Sequence, residues 1–376
     1  MKKLVLTLIC LLPILTSQAG TITVDDDGPA DFANIPEAIN ASQHGDTIVV
    51  GPGTYNDKIS FNNKAITLTG ENPDDPNIVR ATIITVDSDY SVSFDFDEGN
   101  DSILTGFTIT GRGIHCYGTS PTISKNIITD CSNNGIYGEN DAAPIISDNT
   151  ISSNALKGIY FCNGPITNNL ISENQGGIAY SHGPITGNII SDNSETDFGR
   201  GGGLSFCRGS IIGNVIAYNY ANYKGGACYE CPGDITDNII VGNSSTIAGG
   251  ALCQCRGRVA NNIIAGNISD SGGGLFGCTQ VYNNTIVGNI ANVSGGALSQ
   301  CPGYINSNII AHNRATSVGG IDGAGISSYN AFWSNEGANF GGGATAGAGD
   351  IVSDPLFATD GYWDPNETPD EADDFW

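Results

Sequence analysis

The sequence predicts an all-β solenoid of short parallel strands, and three observations lead to this fold class. A unit of about two dozen residues recurs from residue 107 onward; it reads Cys-x-Gly, an apolar residue, Asn-x-Ile-x-x-Asn, a polar loop and Gly-Gly-x-Leu. The apolar runs in a unit are two to four residues long and rich in Ile and Val, which is typical of strands. Gly, Asn and Pro-Gly separate these runs. Because so short a unit cannot bury its own apolar face, the units must stack on one another.

Two columns of asparagine set the register of the repeat. An Asn at a coil corner can bond the backbone and the copy of itself in the next coil, so we assign both columns to the fold and not to a sugar-binding strip. The first column recurs every 19 to 26 residues and the second follows it by five. The columns are Asn126, Asn149, Asn169, Asn188, Asn214, Asn238, Asn262, Asn284, Asn308 and Asn330, and then Asn154, Asn174, Asn193, Asn219, Asn243, Asn267, Asn289, Asn313 and Asn335.

These Asn-x-Ile-x-x-Asn and Gly-Gly-x-Leu coils resemble the right-handed parallel β-helix family, the pectin-lyase-like superfold, and its bacterial secreted members in particular. The resemblance extends over roughly residues 21–357. It implies three strands per coil, each paired with the same strand one coil away. It implies no single activity, because the superfold carries lyases, hydrolases, esterases, adhesins and proteins without known activity.

Residues 1–19 are expected to be a cleaved signal peptide. Lys2 and Lys3 precede an apolar run over residues 4–15, and Ser17-Gln18-Ala19 supplies a small-residue cleavage site. The run is too short to span a bilayer. We therefore expect export by a bacterial signal, to the medium or the cell surface, with no membrane span.

Residues 20–106 are expected to form an N-terminal cap and irregular coils. Asn34 is the predicted N-cap of a short helix, with Glu37 three residues later and Ile35 and Ile39 on its apolar face. Such a helix would close the open end of the solenoid. Residues 70–78, which contain two prolines, are interpreted as a loop.

The segment Asp25, Asp26 and Asp27 raises the question of a calcium ion, the one cofactor that the sequence brings into consideration. A solvated turn that opens the cap is the preferred interpretation. Residues 107–340 are assigned to regular coils, and residues 341–376 to a C-terminal coil and an acidic tail. The whole is predicted to be one elongated domain and a monomer.

Cysteine forms a further column. We predict a mostly reduced, buried stack, because free Cys packs as a small apolar group and an in-register disulfide would be strained. A lone Cys228-x-x-Cys231 is too little to indicate a zinc site. The positions are Cys162, Ser181, Cys207, Cys231, Cys255, Cys278 and Cys301.

The charge balance limits the partners. The chain has 14 basic and 39 acidic residues, a net charge of −25, and without Lys2 and Lys3 the exported form has 12 against 39, or −27. Nucleic acid is excluded as a partner, because no basic stripe exists to displace counterions. An acidic glycan would need calcium to bridge it.

The longest loop between strands carries the candidate catalytic residues Glu195, Asp197 and Arg200, where carboxylates could serve as general acid and base. The sequence lacks Asn-Thr-Asp, Gly-His-Gly and Arg-Ile-Lys, so the constellation of the pectin hydrolases is missing. Aromatic and charged side chains nearby are predicted to bind a ligand, with rings stacking on sugar faces. They are Tyr180, Phe206, Tyr218, Tyr223, Lys224, Tyr229 and Glu230.

The function predicted from these features is engagement of extracellular polysaccharide, by binding without turnover. A complete scaffold without a complete catalytic constellation favours binding. Two alternatives stay open: a polysaccharide lyase or glycosidase that uses the loop at 195–200, and a surface adhesin or structural rod. The outward rings Tyr160, Tyr180, Phe206 and Tyr229 discriminate among them, since one continuous strip would favour carbohydrate.

Overall fold

The computed structural model of the protein describes residues 19–197 and 199–357. Residues 1–18 of the predicted signal peptide and the acidic tail from residue 358 lie outside them. The described chain is a parallel β-solenoid that begins with a capping helix. Within these residues, no helix has the length and apolar character needed to cross a membrane.

The predicted capping helix is confirmed at Ile35–Ala41. The Asn34 side chain accepts a hydrogen bond from the Glu37 amide at 2.9 Å, as expected of an N-cap. Ile35 and Ile39 are fully buried against the first coils. The Lys64 ammonium reaches over the helix end and donates to the backbone oxygens of Ile39, Asn40 and Ser42.

A second helix, Pro76–Ala81, occupies part of the segment interpreted as a loop, and that interpretation was wrong. Asp75 is its N-cap and accepts a hydrogen bond from the Asn77 amide at 2.9 Å. Pro76 stands at the first helical position, where its missing N–H leaves no bond unmade. The two prolines indicated a loop, but one of them starts a helix.

Each coil adds one strand to each of three long parallel sheets, as the repeat predicted. We number the sheets in the order in which the chain passes through them. Every strand in a sheet pairs with the same strand one coil away. The 14 strands of sheet 1 are Thr21–Val24, Thr47–Val50, Thr67–Gly70, Ile103–Thr105, Thr122–Ser124, Ile145–Ser147, Ile166–Thr167, Ile185–Thr186, Ile211–Ile212, Ile235–Thr236, Arg258–Ala260, Gln280–Tyr282, Tyr304–Asn306 and Ile326–Ser328.

Sheet 2 follows after the first asparagine corner. Its central residues point inward, so that Ile240, Ile264 and Ile286 stack in register with no exposed surface. The 14 strands are Gly53–Tyr55, Thr82–Val86, Thr108–Gly111, Ile127–Cys131, Thr150–Ser152, Leu170–Ser172, Ile189–Ser191, Val215–Ala217, Ile239–Val241, Ile263–Ala265, Thr285–Val287, Ile309–Ala311, Ala331–Trp333 and Ile351–Val352.

Sheet 3 completes each coil and carries the site described below. The first residue of most of its strands is a buried Ile or Leu, and the second faces outward. The 13 strands are Ile59–Ser60, Val92–Phe94, Ile114–Tyr117, Ile136–Glu139, Ile159–Tyr160, Ile178–Ala179, Leu204–Ser205, Cys228–Tyr229, Leu252–Cys253, Leu275–Phe276, Leu298–Ser299, Ile321–Asp322 and Phe340–Gly341.

A fourth, short sheet of six strands lies between sheets 2 and 3, and the repeat pattern did not predict it. It begins where the loop after the second asparagine lengthens enough to pair with its copy in the next coil. Its strands are Ser194–Glu195, Tyr220–Ala221, Ser244–Ser245, Ile268–Ser271, Ile290–Ser294 and Arg314–Ala315.

Both asparagine columns are buried ladders, as predicted. Asn238 illustrates the pattern: its Nδ2 donates to the backbone oxygens of Ile211 and Thr236 and to Oδ1 of Asn262, all at 2.9–3.0 Å. Its Oδ1 in turn accepts from the backbone amide and Nδ2 of Asn214. Each Asn thus accepts from the coil before it and donates to the coil after it.

Asp350 ends the first ladder. Its Oδ1 accepts from the backbone amide of Asn330 at 2.8 Å and from Nδ2 of Asn330 at 3.1 Å, as an Asn would. Its Oδ2 accepts from the Gly347 amide and the Ser327 hydroxyl. A carboxylate suits this position because a terminal member of the ladder has only to accept.

The cysteine column is buried, as predicted, and the ten described cysteines are free. The Cys231 thiol donates to the backbone oxygen of Tyr229 at 3.5 Å. Burial raises the pKa of Cys162 to about 12, so this thiol stays protonated at neutral pH. The column therefore packs as small apolar groups inside the coils.

Candidate functional site

The second residue of each strand in sheet 3 faces outward, and these residues form a column in register along the sheet. Tyr137 pairs with Tyr160, Tyr160 with Ala179, Ala179 with Ser205, and Ser205 with Tyr229. Rings thus stand on both sides of two small residues. The missing side-chain volume at Ala179 and Ser205 opens a cavity in the column.

A second column lies beside the first, where the backbone leaves each strand in a left-handed conformation. Phe161, Tyr180 and Phe206 occupy it with φ angles of 55–56°, followed by Glu230 at 46°. The rings of Tyr180 and Phe206 are stacked, with centroids 4.7 Å apart and planes at 16°. The rings Tyr160, Tyr180, Phe206 and Tyr229 contact one another in succession, the arrangement that we expected to favour carbohydrate, but Tyr229 is only 4% exposed and offers almost no surface to a ligand.

We call the cavity the notch. It has a volume of about 280 Å³. Ala179 and Ser205 lie at its base, and Tyr160, Tyr180 and Phe206 supply its aromatic walls. The remaining wall consists of polar and charged residues from the coil edges, chiefly Lys157, Gln175, Glu195, Asp197 and Arg200.

Lys157 and Glu195 form an ion pair at the inner end of the charged wall. The Lys157 side chain is 15% exposed and that of Glu195 is 2% exposed. The Lys157 ammonium also donates to the backbone oxygen of Gln175 at 2.8 Å. Burial lowers the pKa of Lys157 to about 8, and the negative charge of Asp197 acts in the opposite direction. At neutral pH most of this amine is therefore still protonated, as its ion pair with Glu195 requires.

Arg200 lies at the outer end of the wall, held by aromatic rings. Its guanidinium lies 5.7 Å from the centroid of Tyr223 and 5.4 Å from that of Tyr229. The ammonium of Lys224 lies 5.0 Å from the Tyr223 centroid. These cation–π contacts fix the position of Arg200 beside the notch.

The structure brings five of the ten predicted site residues into the lining of the notch: Glu195, Asp197, Arg200, Tyr180 and Phe206. Tyr223, Lys224 and Tyr229 pack behind Arg200, and Glu230 faces a neighbouring groove.

Tyr218 lies elsewhere. It packs against Ala217 and Val241 on the outer face of sheet 2, so the structure does not place this predicted ligand-binding residue at the notch.

Sequence reasoning did not count Lys157 or Tyr160 among the site residues. Both belong to earlier coils, and Lys157 is 38 residues before its partner Glu195. Lys157 directly precedes a Gly-Ile-Tyr strand start, and its repeat unit is otherwise ordinary, so no local motif marks it. Only an alignment of successive coils could have indicated that Lys157 and Tyr160 lie at the site.

The neighbouring groove shares Tyr180 and Phe206 with the notch, on the other side of their stacked rings. It has a volume of about 340 Å³. Its other polar residues are His182, Arg208, Glu230, Gln254 and Arg256. Glu230 accepts a hydrogen bond from the Tyr229 hydroxyl at 2.7 Å, and this bond raises the pKa of Tyr229, as does the burial of its ring.

A second polar constellation lies further along sheet 3. His115 Nδ1 is 3.1 Å from Asp95, its Nε2 is 3.4 Å from Glu139, and its ring stacks on Tyr90 with centroids 4.7 Å apart. These contacts tie three successive coils together, because the residues belong to neighbouring strands or strand ends.

The acidic turn can offer ligands to a cation. One carboxylate oxygen from each of Asp25, Asp26 and Asp27 lies within 4.8 Å of the others. Asp25 already accepts hydrogen bonds from the amides of Asp27 and Gly28, which is the geometry of a turn. Calcium at this turn stays a prediction.

Comparison with known families bears on the fold. A family model described as "Right handed beta helix region" matches residues 71–216. The chain is a right-handed parallel β-helix. Among solved structures, a crystal structure of pectate lyase Pel9A is similar to the β-helix over 90% of this chain and 84% of that chain, with 14% identity and a TM-score of 0.37. No curated protein matches the chain.

Proposed function

We propose that this β-helix is exported and binds a polysaccharide along the outer face of sheet 3, with one sugar unit seated in the notch. The observation that carries the proposal is the break in the aromatic column at Ala179 and Ser205, flanked by Tyr160, Tyr180 and Phe206. A cavity with aromatic walls and a few converging polar groups is the common form of a small-ligand site.

The rings themselves explain why binding should concentrate at the notch. Tyr180 and Phe206 stack on each other, so one face of each ring is covered by the other. At the break, the rings of Tyr160 and Phe206 border the notch, where they could contact a sugar with the parts that neighbouring rings leave uncovered. The polar wall supplies hydrogen-bond partners for hydroxyl groups, through Gln175, Asp197 and Arg200.

Binding without turnover is favoured over hydrolysis because of the state of Glu195. Its carboxylate is buried and contacts the Lys157 ammonium, so its charge is already compensated inside the protein. Glycoside hydrolysis needs two carboxyl groups free to flank a sugar linkage. Asp197 alone is exposed at the wall.

The proposal is tested by retention of the protein on a panel of immobilised polysaccharides, with new reducing ends followed in solution. Tyr160→Ala and Phe206→Ala should each weaken retention about tenfold, the effect expected when a stacking ring is lost from a small site. Tyr304→Ala, an exposed tyrosine on sheet 1, is the control and should leave retention unchanged. The proposed site is refuted if all variants are retained as well as the unaltered protein. It is also refuted if the unaltered protein itself is retained on no polysaccharide.

A second candidate function is β-elimination on an acidic polysaccharide, and the lowered pKa of Lys157 is what favours it. A neutral amine in the notch could take the proton from the carbon beside a sugar carboxylate while the glycosidic C–O bond on the next carbon breaks; the leaving oxygen would take a proton from water, and Arg200 lies near the developing charge. Unsaturated products should then appear at a rate that rises as the pH passes through about 8 and should vanish in Lys157→Met. Absence of unsaturated products on every acidic polysaccharide of the panel eliminates this candidate.

A further inference from the structure

We propose that the groove beside the notch is a subsite for an anionic group, a carboxylate or sulfate ester of a glycan, which Arg208 and Arg256 bind directly without a bridging cation. The inference rests on the proposed function, because it names the chemistry of the same ligand one step along the face. It replaces the expectation that an acidic glycan would need calcium to approach so acidic a protein.

The two arginines occupy one column, since each directly follows a residue of the cysteine stack: Arg208 follows Cys207, and Arg256 follows Cys255. Pro232 holds the same place in the coil between them and forms part of the groove. Two coils of a parallel stack separate equivalent positions by about 10 Å. A chain lying along the solenoid axis would therefore meet both guanidinium groups.

Among the described residues, neither guanidinium forms an ion pair with a carboxylate. In the part of the chain that the structure describes, the salt bridges join other pairs, and no carboxylate lies within salt-bridge distance of Arg208 or Arg256. Of the ten other described lysines and arginines, Lys58, Lys125, Lys157 and Arg314 each pair with a carboxylate. Unpaired arginines that line a groove are suited to oxyanions, because the guanidinium fork matches a carboxylate or sulfate.

The local charge contrasts with that of the whole molecule. The exported chain would have a net charge near −27, yet the groove brings together two arginines and His182 with a single carboxylate, Glu230. Glu230 is itself engaged by the Tyr229 hydroxyl at 2.7 Å. The surrounding negative charge would repel an acidic polymer elsewhere and leave this face as its point of contact.

Continuity with the notch supports a single ligand. Tyr180 and Phe206 form the wall between the two cavities, so a chain leaving the notch crosses the edges of these two rings and enters the groove. Gln254 at the far side can bond a hydroxyl or the oxyanion. The notch would hold a ring and the groove the acidic substituent of a following unit.

The test measures affinity for three oligosaccharide sets, neutral, uronic-acid-containing and sulfated, with the full chain and with the double variant Arg208→Gln, Arg256→Gln. We expect the double variant to bind the acidic sets at least about tenfold more weakly and to bind the neutral set unchanged. Arg80→Gln is the matched control, an exposed arginine on the second helix that reaches only its own helix carbonyl. Thermal unfolding by circular dichroism verifies that each variant is folded.

Four outcomes decide the inference. The inference is supported if the double variant loses affinity for the acidic sets but not for the neutral set, and if a chelator does not change binding by the unaltered protein. Whether the uronic-acid set or the sulfated set loses affinity then distinguishes carboxylate from sulfate. Loss of acidic-ligand binding when a chelator is added to the unaltered protein overturns it, because calcium then bridges. If the double variant binds the acidic sets as well as the unaltered protein does, while Phe206→Ala binds them more weakly, the anionic subsite in the groove is refuted and sugar binding at the notch is retained. No binding of any set by the unaltered protein overturns both.

Discussion

Replacing Asn238 with alanine should destabilise the middle of the solenoid far more than its single amide implies. The side chain accepts two hydrogen bonds and shares its two N–H groups among three oxygens of its own and adjacent coils, and every one of these contacts except that with Thr236 is buried. Without its Oδ1, the buried backbone amide of Asn214 loses its acceptor, at a cost of about 1–3 kcal/mol. The three donated bonds add about 0.5–1.5 kcal/mol each, with incomplete additivity.

We therefore expect Asn238→Ala to lower the free energy of unfolding by about 3–5 kcal/mol. Because stacked coils open locally, hydrogen exchange is the better assay, and the amides of Asn214 and Ile239 should exchange faster while those near the capping helix do not. Asn292→Ala is the control: its exposed side chain bonds only Asp270, and the expected change is within about 0.5 kcal/mol. If Asn238→Ala lowered the free energy of unfolding by less than about 1 kcal/mol, or if exchange accelerated uniformly along the chain, the ladder would not stabilise the coils locally.

Three more results are expected. Ser205→Tyr should fill the notch and abolish glycan retention. The protein should stay folded, because the same strand position holds Tyr229 and Phe276 in other coils, each beside an equivalent glycine. Ser299→Tyr lies in the same column but away from the notch, so this control variant should still bind the glycan. A thiol reagent should label none of the ten described cysteines in the native protein and all ten after denaturation, and a deficit of two after denaturation would indicate a disulfide instead. The pKa of Asp46 is lowered by hydrogen bonds from the amides of Gln43 and Gly20, so its contribution to stability is present above the ordinary carboxylate pKa and disappears as pH falls through the lowered value. The protection factor of the Gln43 amide, the exchange rate of an unfolded peptide divided by that of this amide at the same pH, should fall below about pH 4 in the unaltered protein, and Asp46→Asn should remove that pH dependence.

The repeat made most of the fold predictable. Asn-x-Ile-x-x-Asn specifies a buried isoleucine between two corner asparagines, and Asn238, Ile240 and Asn243 occupy those roles with no more than 1% exposure. Asn34 and Glu37 likewise predicted the capping helix from local chemistry. The helix at Pro76–Ala81 was missed because proline marks both loops and first helical turns.

The site was predictable only in part, for a physical reason. Glu195, Asp197 and Arg200 stood out because they interrupt the repeat within a single loop. Lys157 and Ala179 become functional only when loops of unequal length are stacked, since small changes in coil length decide which side chains meet. Tyr218 shows the converse, because proximity in sequence to Tyr220 and Tyr223 did not place it on the same face.

The notch shows how the outer surface of a solenoid can vary while its core stays the same. Its position is defined by the absence of rings at Ala179 and Ser205, in a column where Tyr160 and Tyr229 continue on both sides. Moving the gap by one coil would need only an exchange of small and large residues at outward positions, while the buried ladders stay untouched. If the notch binds a sugar as proposed, its position along the solenoid could change only in steps of one coil, about 4.8 Å. Related rods could read different spacings along a polymer by relocating the gap, and each would keep the same scaffold.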